Sequence, residues 1–90
     1  MIYIRAVHMV GSVGHEHIAS VCWLNGDSGI SKRITTDAMI NFIDAPNVVK
    51  VGGSDGPVAV GVVRPPGRKP YLRTHADGKW NDNLLALPRF

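Results

Sequence analysis

The chain has a single cysteine, a single glutamate and no long apolar run. One cysteine, Cys22, cannot form an internal disulfide, and this suits a reducing compartment. No apolar stretch approaches the roughly 20 residues that a membrane-spanning helix requires. The first ten residues lack the cleavage region of a signal peptide and carry Arg5 and His8 within their apolar run. These absences predict a cytoplasmic protein that makes no contact with a membrane.

Composition and charge predict one folded domain with a basic end. A content of 44% hydrophobic and 19% charged residues is that of a globular chain rather than a disordered one. Neither an internal repeat nor a linker interrupts the sequence, so residues 1–90 are expected to form a single domain. The net charge of +3 comes from the carboxy-terminal part, because residues 1–63 sum to −1 and residues 64–90 sum to +4. Such a basic end can meet an anionic surface.

The spacing of apolar residues predicts six strands and one helix. Runs rich in β-branched residues, bounded by turn residues, predict strands over 2–10, 17–24, 30–34, 47–51, 57–63 and 71–76. In the first strand, strict alternation would place Ile4 and Ala6 on one face and Val7 on the other. Helical spacing appears over 35–45, where Thr35 or Thr36 can cap the amino end and Pro46 stops the helix. Residues 80–88 are expected to form an irregular or single-turn tail that buries leucines.

These elements predict an α+β fold in the order β-β-(β)-α-β-β-β. Short connections favour an antiparallel sheet of about five strands, and one amphipathic helix can cover one of its faces. The alternative is a more strongly curved sheet that closes toward a small barrel, because Gly52, Gly53 and Gly61 would permit sharp bends.

Four segments resemble a known family. They are "GHEHI" with a following Trp (14–23), "VGVVRP" (60–65), "PYLRTHADGKW" (70–80) and "NDNLLALP" (81–88). Together they resemble a small bacterial and phage family known as domain of unknown function 3892. The resemblance covers nearly the whole chain and is most specific at its carboxy-terminal end. It implies a free-standing domain, but no activity, cofactor or catalytic residue. The phage and bacterial distribution makes an accessory protein or a counter-defence inhibitor a reasonable expectation.

The histidine-rich segment has two interpretations. If the second strand extends back to residue 15, then His15 and His17 share a face and stand close enough to chelate a metal. Zinc needs further ligands, for which His75 or His8 is available. A small metal-binding protein or hydrolase built on His15, His17 and His75 is therefore one hypothesis. The other is structural, in which a histidine beside the glycine-rich turn fixes that loop by hydrogen bonding.

The basic carboxy-terminal segment also has two interpretations. Basic and aromatic side chains alternate there in a way that can follow phosphates and stack on bases. The candidate binding residues are Arg64, Arg68, Lys69, Tyr71, Arg73, His75 and Trp80. In the structural alternative, the chain end folds back to seal the sheet, and Asp82 pairs with Arg73.

No coherent set of catalytic residues is present, so we expect a non-catalytic domain that binds another macromolecule without a cofactor. Another protein is the first expectation for that partner, because polar and aromatic groups are spread over a sheet face and long loops. Nucleic acid, bound through the basic segment, is the alternative. An exposed edge strand could also pair with a second copy and form a homodimer.

Overall fold

A computed structural model describes residues 1–11, 14–52, 57–76, 79–81 and 83–90. These residues form a sheet, one α-helix and two short 3₁₀ helices, so the α+β class is confirmed. The strands are β1 (Ile2–Met9), β2 (Ile18–Asn25), β3 (Ser31–Thr35), β4 (Val49–Val51), β5 (Val58–Val63), β6 (Tyr71–Ala76) and β7 (Lys79–Asn81). The helix is α1 (Thr36–Asp44), and the 3₁₀ helices span His15–His17 and Asn83–Ala86.

All seven strands belong to one mixed sheet with the order β3-β2-β1-β4-β5-β6-β7. The predicted antiparallel sheet of about five strands was wrong in strand number and in one pairing. After β3, helix α1 returns the chain past β2, so that β4 reaches the other side of β1 and pairs with it in parallel. Every other neighbouring pair is antiparallel. Strands β3 and β7 are the two edges of the described sheet, which does not close into the alternative barrel.

A β-bulge in β1 overturns the predicted alternation of that strand. Ile4 lies opposite Trp23 while Ala6 lies opposite Cys22, so Arg5 is the extra residue of the bulge. A bulge shifts the side chains that follow it to the other face. Ile4 and Val7, three positions apart, are therefore both fully buried on the same side.

The second strand does not extend back to residue 15, which was the condition for His15 and His17 to share a strand face. His15–His17 form a 3₁₀ turn in which the backbone N–H of His17 donates to the carbonyl of Gly14, at 2.9 Å. The strand begins only at Ile18, whose side chain is buried. His15 and His17 consequently do not share a strand face.

The two faces of the sheet differ sharply in burial. One face packs against α1 and the second 3₁₀ helix, and we call it the covered face. Its buried apolar residues, together with those of the helices, are Ile4, Val7, Ile18, Val21, Met39, Ile40, Val49, Val51, Val60, Leu72 and Leu84. The opposite face carries residues that pair across the strands and are half-buried or exposed, and we call it the open face. Its members include Tyr3, Ala6, His8, Ser20, Cys22, Leu24, Arg33, Lys50, Ala59, Gly61, Arg73, His75 and Trp80.

Helix α1 begins where the sequence predicts. The hydroxyl of Thr35 accepts a hydrogen bond from the backbone N–H of Ala38, at 3.2 Å, and therefore caps the helix. The neighbouring Thr36 is buried, and its hydroxyl donates to the carbonyl of Ile18 at 2.7 Å. This second bond ties the start of the helix to the start of β2. No helix among the described residues is long and apolar enough to cross a bilayer.

The carboxy-terminal tail is more regular than the sequence predicts. Strand β7 pairs with β6, and the 3₁₀ turn that follows buries Leu84 completely. The backbone N–H of Val7 then donates to the carbonyl of Pro88 at 3.0 Å, and that of Phe90 donates to the carbonyl of Val7 at 3.2 Å. The single turn is confirmed, whereas β7 was missed. The tail thereby extends along β1 beyond the short pairing of β1 with β4.

Candidate functional site

The charges of the sheet have one sign. The seven strands contain six basic residues and no aspartate or glutamate. The basic residues are Arg5, Lys32, Arg33, Lys50, Arg73 and Lys79. The acids among the described residues lie instead in the first 3₁₀ helix (Glu16), in a turn (Asp27) and in α1 (Asp37 and Asp44).

Three of these bases lie on a diagonal of the open face. In the register of the sheet, Arg33 lies opposite Cys22 and Lys50 lies opposite Ala59. Arg73 lies opposite Gly61, two residues further along β5 than Ala59. Five strand spacings of about 4.8 Å each separate β3 from β6, so the diagonal is at least about 24 Å long. The spread matches an extended anion better than a compact one.

Three of the four acids among the described residues are paired with cations away from this face. Asp37 and Asp44 belong to α1, where the Lys69 ammonium lies 3.2 Å from Asp37 and the Arg64 guanidinium pairs with Asp44. Asp27 lies in the turn between β2 and β3, 2.8 Å from the Met1 ammonium. The hydrogen bond from that ammonium, aided by its charge, lowers the pKa of the Asp27 carboxyl.

The predicted basic segment is therefore split by the fold. Arg64 and Lys69 join the loop after β5 to helix α1 through the two ion pairs. Arg68 is exposed in the same loop, and its backbone N–H donates to the carbonyl of Pro65 at 3.3 Å. These three side chains do not belong to the open face. Sequence reasoning grouped them with Arg73 only because they are close along the chain.

The later members of the predicted set do meet on the sheet. Leu72 and Thr74 are buried, whereas Arg73 and His75 occupy the open face, because successive side chains of a strand point to opposite faces. Trp80 pairs with His75, and their rings meet edge to face with centroids 5.1 Å apart. Tyr71 lies at the other end of β6, where its ring is 6.3 Å from that of the buried His15. Asp82, the predicted partner of Arg73, lies outside the described residues.

An aromatic side chain also covers the β3 side of the open face. The Arg33 guanidinium carbon lies 4.6 Å from the centroid of the Phe90 ring, a cation–π arrangement. The Phe90 ring also stacks with His8 at a centroid distance of 5.6 Å. Arg33 thus lies beside a stacked pair of aromatic rings at this end of the open face.

Comparison with known proteins gives one positive result. A model of the family described as "Protein of unknown function (DUF3892)" matches residues 3–88. The chain belongs to this family. No curated protein matches it significantly, and no solved structure does. The resemblance drawn from the four sequence segments is therefore confirmed, and the candidate site of this DUF3892 domain must be argued from its own geometry.

The histidines of this DUF3892 domain do not converge. Within the residues that the structure describes, no group of three or more His, Cys, Asp or Glu side chains is placed to hold a metal ion. His17 lies beside Glu16, with 3.9 Å between Nε2 and Oε1, whereas His75 lies against Trp80. The set His15, His17 and His75 is thus divided between the first 3₁₀ helix and the open face.

Two clefts flank helix α1 of the domain. The first, of about 270 Å³, lies between the helix and the strands near the β3 edge. All of its lining residues are apolar: Ile2, Trp23, Ile34, Ala38, Met39 and Phe42. The second, of about 390 Å³, lies at the amino end of the helix and includes both charges of the Lys69–Asp37 pair. Neither cleft opens from the basic diagonal.

Lys50 and Arg33 are the residues that the sequence-based search missed. Both lie far along the chain from the basic carboxy-terminal segment. A signal was nevertheless present, because none of the predicted strand segments contains an acid while several contain a base. The distribution of charge over predicted strands is more informative here than its distribution along the chain.

Proposed function

We propose that this domain binds nucleic acid through the open face of its sheet. The observation that carries the proposal is that the strands contain no acid and that three of their six basic residues, Arg33, Lys50 and Arg73, lie on the open face. Phosphate groups are recognised by such bases, and their attraction supplies much of the affinity of nucleic-acid-binding domains. We place nucleic acid ahead of the protein partner that the sequence first suggested, because the charge distribution of the folded sheet favours a polyanion.

The spacing of the bases supports a polymeric ligand. Arg33 and Lys50 lie three strands apart, which is about 14 Å at the usual strand spacing. One small anion cannot contact both side chains at once, whereas successive phosphates of a nucleic acid can. The aromatic residues Tyr3, His75 and Trp80 lie among these bases on the same face, as in many proteins that bind single strands.

The charge balance of the whole chain supports the same ligand. A net charge of +3 and an isoelectric point near 9.4 favour encounter with polyanions at neutral pH. Three of the acids that the structure describes, Asp27, Asp44 and Asp37, are paired with Met1, Arg64 and Lys69 away from the open face. We propose binding without chemistry, because Arg33, Lys50 and Arg73 are dispersed over three strands of the sheet and not gathered around one reacting position.

The test is the salt dependence of oligonucleotide binding. Fluorescence anisotropy with a labelled single-stranded oligonucleotide should detect binding at low salt. Contacts from Arg33 and Lys50 alone would give a log–log slope of about −1.4 against salt concentration, since each phosphate contact contributes about −0.7 on single strands. A chain that fails to bind any single- or double-stranded oligonucleotide at low salt would refute the proposed function.

A protein partner remains the second candidate, favoured by the apolar cleft beside β3. Phe42 lines this cleft and is partly exposed. Ile30, the residue just before β3, is exposed as well. An extended peptide could pair with the free edge of β3 and insert an apolar side chain into the cleft. Lys32 and Arg33 are exposed on that strand, so the fitting peptide is acidic.

The same charges argue against a homodimer through β3. Antiparallel pairing of two copies would bring Lys32 and Arg33 of each strand near those of the other. Like charges opposite one another destabilise a strand pair, and basic residues on an edge strand commonly serve to prevent such pairing. An acidic partner strand would meet no such repulsion.

A further inference from the structure

Trp80 is an exposed aromatic side chain held in place on the open face. Although 44% of it is accessible to solvent, its ring lies over Gly61 of β5. A Cβ atom added to Gly61 would lie 3.0 Å from Cη2 and 3.1 Å from Cζ3 of the indole. Real Cβ atoms rarely approach so closely, and the absence of a side chain at position 61 lets the ring lie against the sheet.

A second contact fixes the edge of the indole. His75 pairs with Trp80 across β6 and β7, and its ring meets the indole at an interplanar angle of 65°. Gly61 therefore supports one side of Trp80 and His75 borders another. Because these contacts already position the ring, the Trp80 side chain would lose little further conformational entropy when a flat ligand stacks on its exposed side.

The position of Trp80 relative to the basic side chains of the open face indicates what that flat ligand is. Lys50, Ala59, His75 and Trp80 are successive cross-strand partners, so Lys50 and Trp80 occupy the same level of the sheet. Three strand spacings, about 14 Å, separate them. A nucleic acid that brings a phosphate to Lys50 can bring an unpaired nucleobase to Trp80. The nucleobases of a duplex are stacked inside the double helix and do not reach the indole.

We infer that Trp80, supported by Gly61, is a stacking platform for an unpaired nucleobase, and that the ligand is a single-stranded nucleic acid. This inference rests on the proposed function and narrows it to one structural class of nucleic acid. Stacking on an aromatic side chain tolerates any base, so the platform selects single strands rather than a sequence.

Affinity measurements on Trp80→Ala provide the first test. Removing a stacked aromatic side chain should weaken binding of a single-stranded oligonucleotide about 5- to 150-fold. Binding of a duplex of the same length, and of inorganic polyphosphate, should stay within twofold, because those ligands contact only the basic side chains of the domain and not Trp80. Trp80→Phe should retain an intermediate affinity for the single strand.

Fluorescence of Trp80 provides the second test and needs no change at the platform. In Trp23→Phe the only indole is that of Trp80, and its emission should be quenched by the single strand but not by the duplex or by polyphosphate. Equal effects on single strand and duplex, or none on either, would overturn the stacking inference while leaving salt-dependent binding intact. Failure of the proposed function itself would instead appear as absence of binding to every polyanion.

Discussion

Replacing Leu84 with alanine is expected to lower the free energy of unfolding by about 2–5 kcal/mol. Leu84 is completely buried, and its 3₁₀ turn packs against both β1 and β6. The substitution removes three carbon atoms and leaves a cavity between the tail and the sheet. A small domain has only about 5–15 kcal/mol of stability in total, so the loss should be a large share of it. Urea unfolding followed by circular dichroism measures the change.

Leu85→Ala is the matched control for this substitution. Leu85 is the next residue of the same turn and is only partly buried against the core. Leu85→Ala removes the same atoms, but from a side chain that is already partly in contact with water. The substitution should therefore lower the free energy of unfolding clearly less than Leu84→Ala does. Equal losses from the two variants would show that the tail does not anchor the sheet through Leu84.

The double variant Arg33→Gln with Lys50→Gln is expected to weaken oligonucleotide binding by several orders of magnitude. A hydrogen bond to a charged group contributes about 1.5–3 kcal/mol, so losing two such contacts to phosphate would cost about 3–6 kcal/mol if they are independent. Both bases lie on the open face, three strands apart. Anisotropy titrations at constant salt measure the loss, and the salt slope should become shallower by about 1.4.

The matched control is Arg64→Gln with Lys69→Gln. It removes the same two charges from the chain, but from side chains that pair with Asp44 and Asp37 of α1. Binding should fall by less than tenfold, because only the long-range attraction to the polyanion decreases. An equal loss of affinity in the two double variants would mean that net charge, and not the open face, determines binding.

Much of the fold could be predicted from the sequence because local patterns specify its elements. The Thr35 cap and Pro46 bound the helix as expected, and residues 71–76 form the predicted strand. The parallel pairing of β1 with β4 could not be predicted, because nothing local distinguishes it from an antiparallel neighbour. The bulge at Arg5 was equally hidden, since it depends on how β1 aligns with β2.

The candidate site was harder to predict because it joins residues that are distant along the chain. His75 and Trp80 were identified from the local mixture of basic and aromatic residues, and they do lie together on the open face. Arg64 and Lys69 belonged to the same mixture, but the helix supplies acids that draw them away. The role of Gly61 required three-dimensional contact, because the sequence alone only suggested a bend there.

The most direct test of the central claim is a map of amide chemical-shift changes in the ¹⁵N-labelled domain during titration with a single-stranded oligonucleotide. Binding at the open face predicts the largest changes at Lys50, Gly61, His75 and the indole N–H of Trp80. Residues of α1 beside the apolar cleft, such as Met39 and Phe42, should change little. The reverse pattern, with changes concentrated along α1 and a silent open face, would contradict the account.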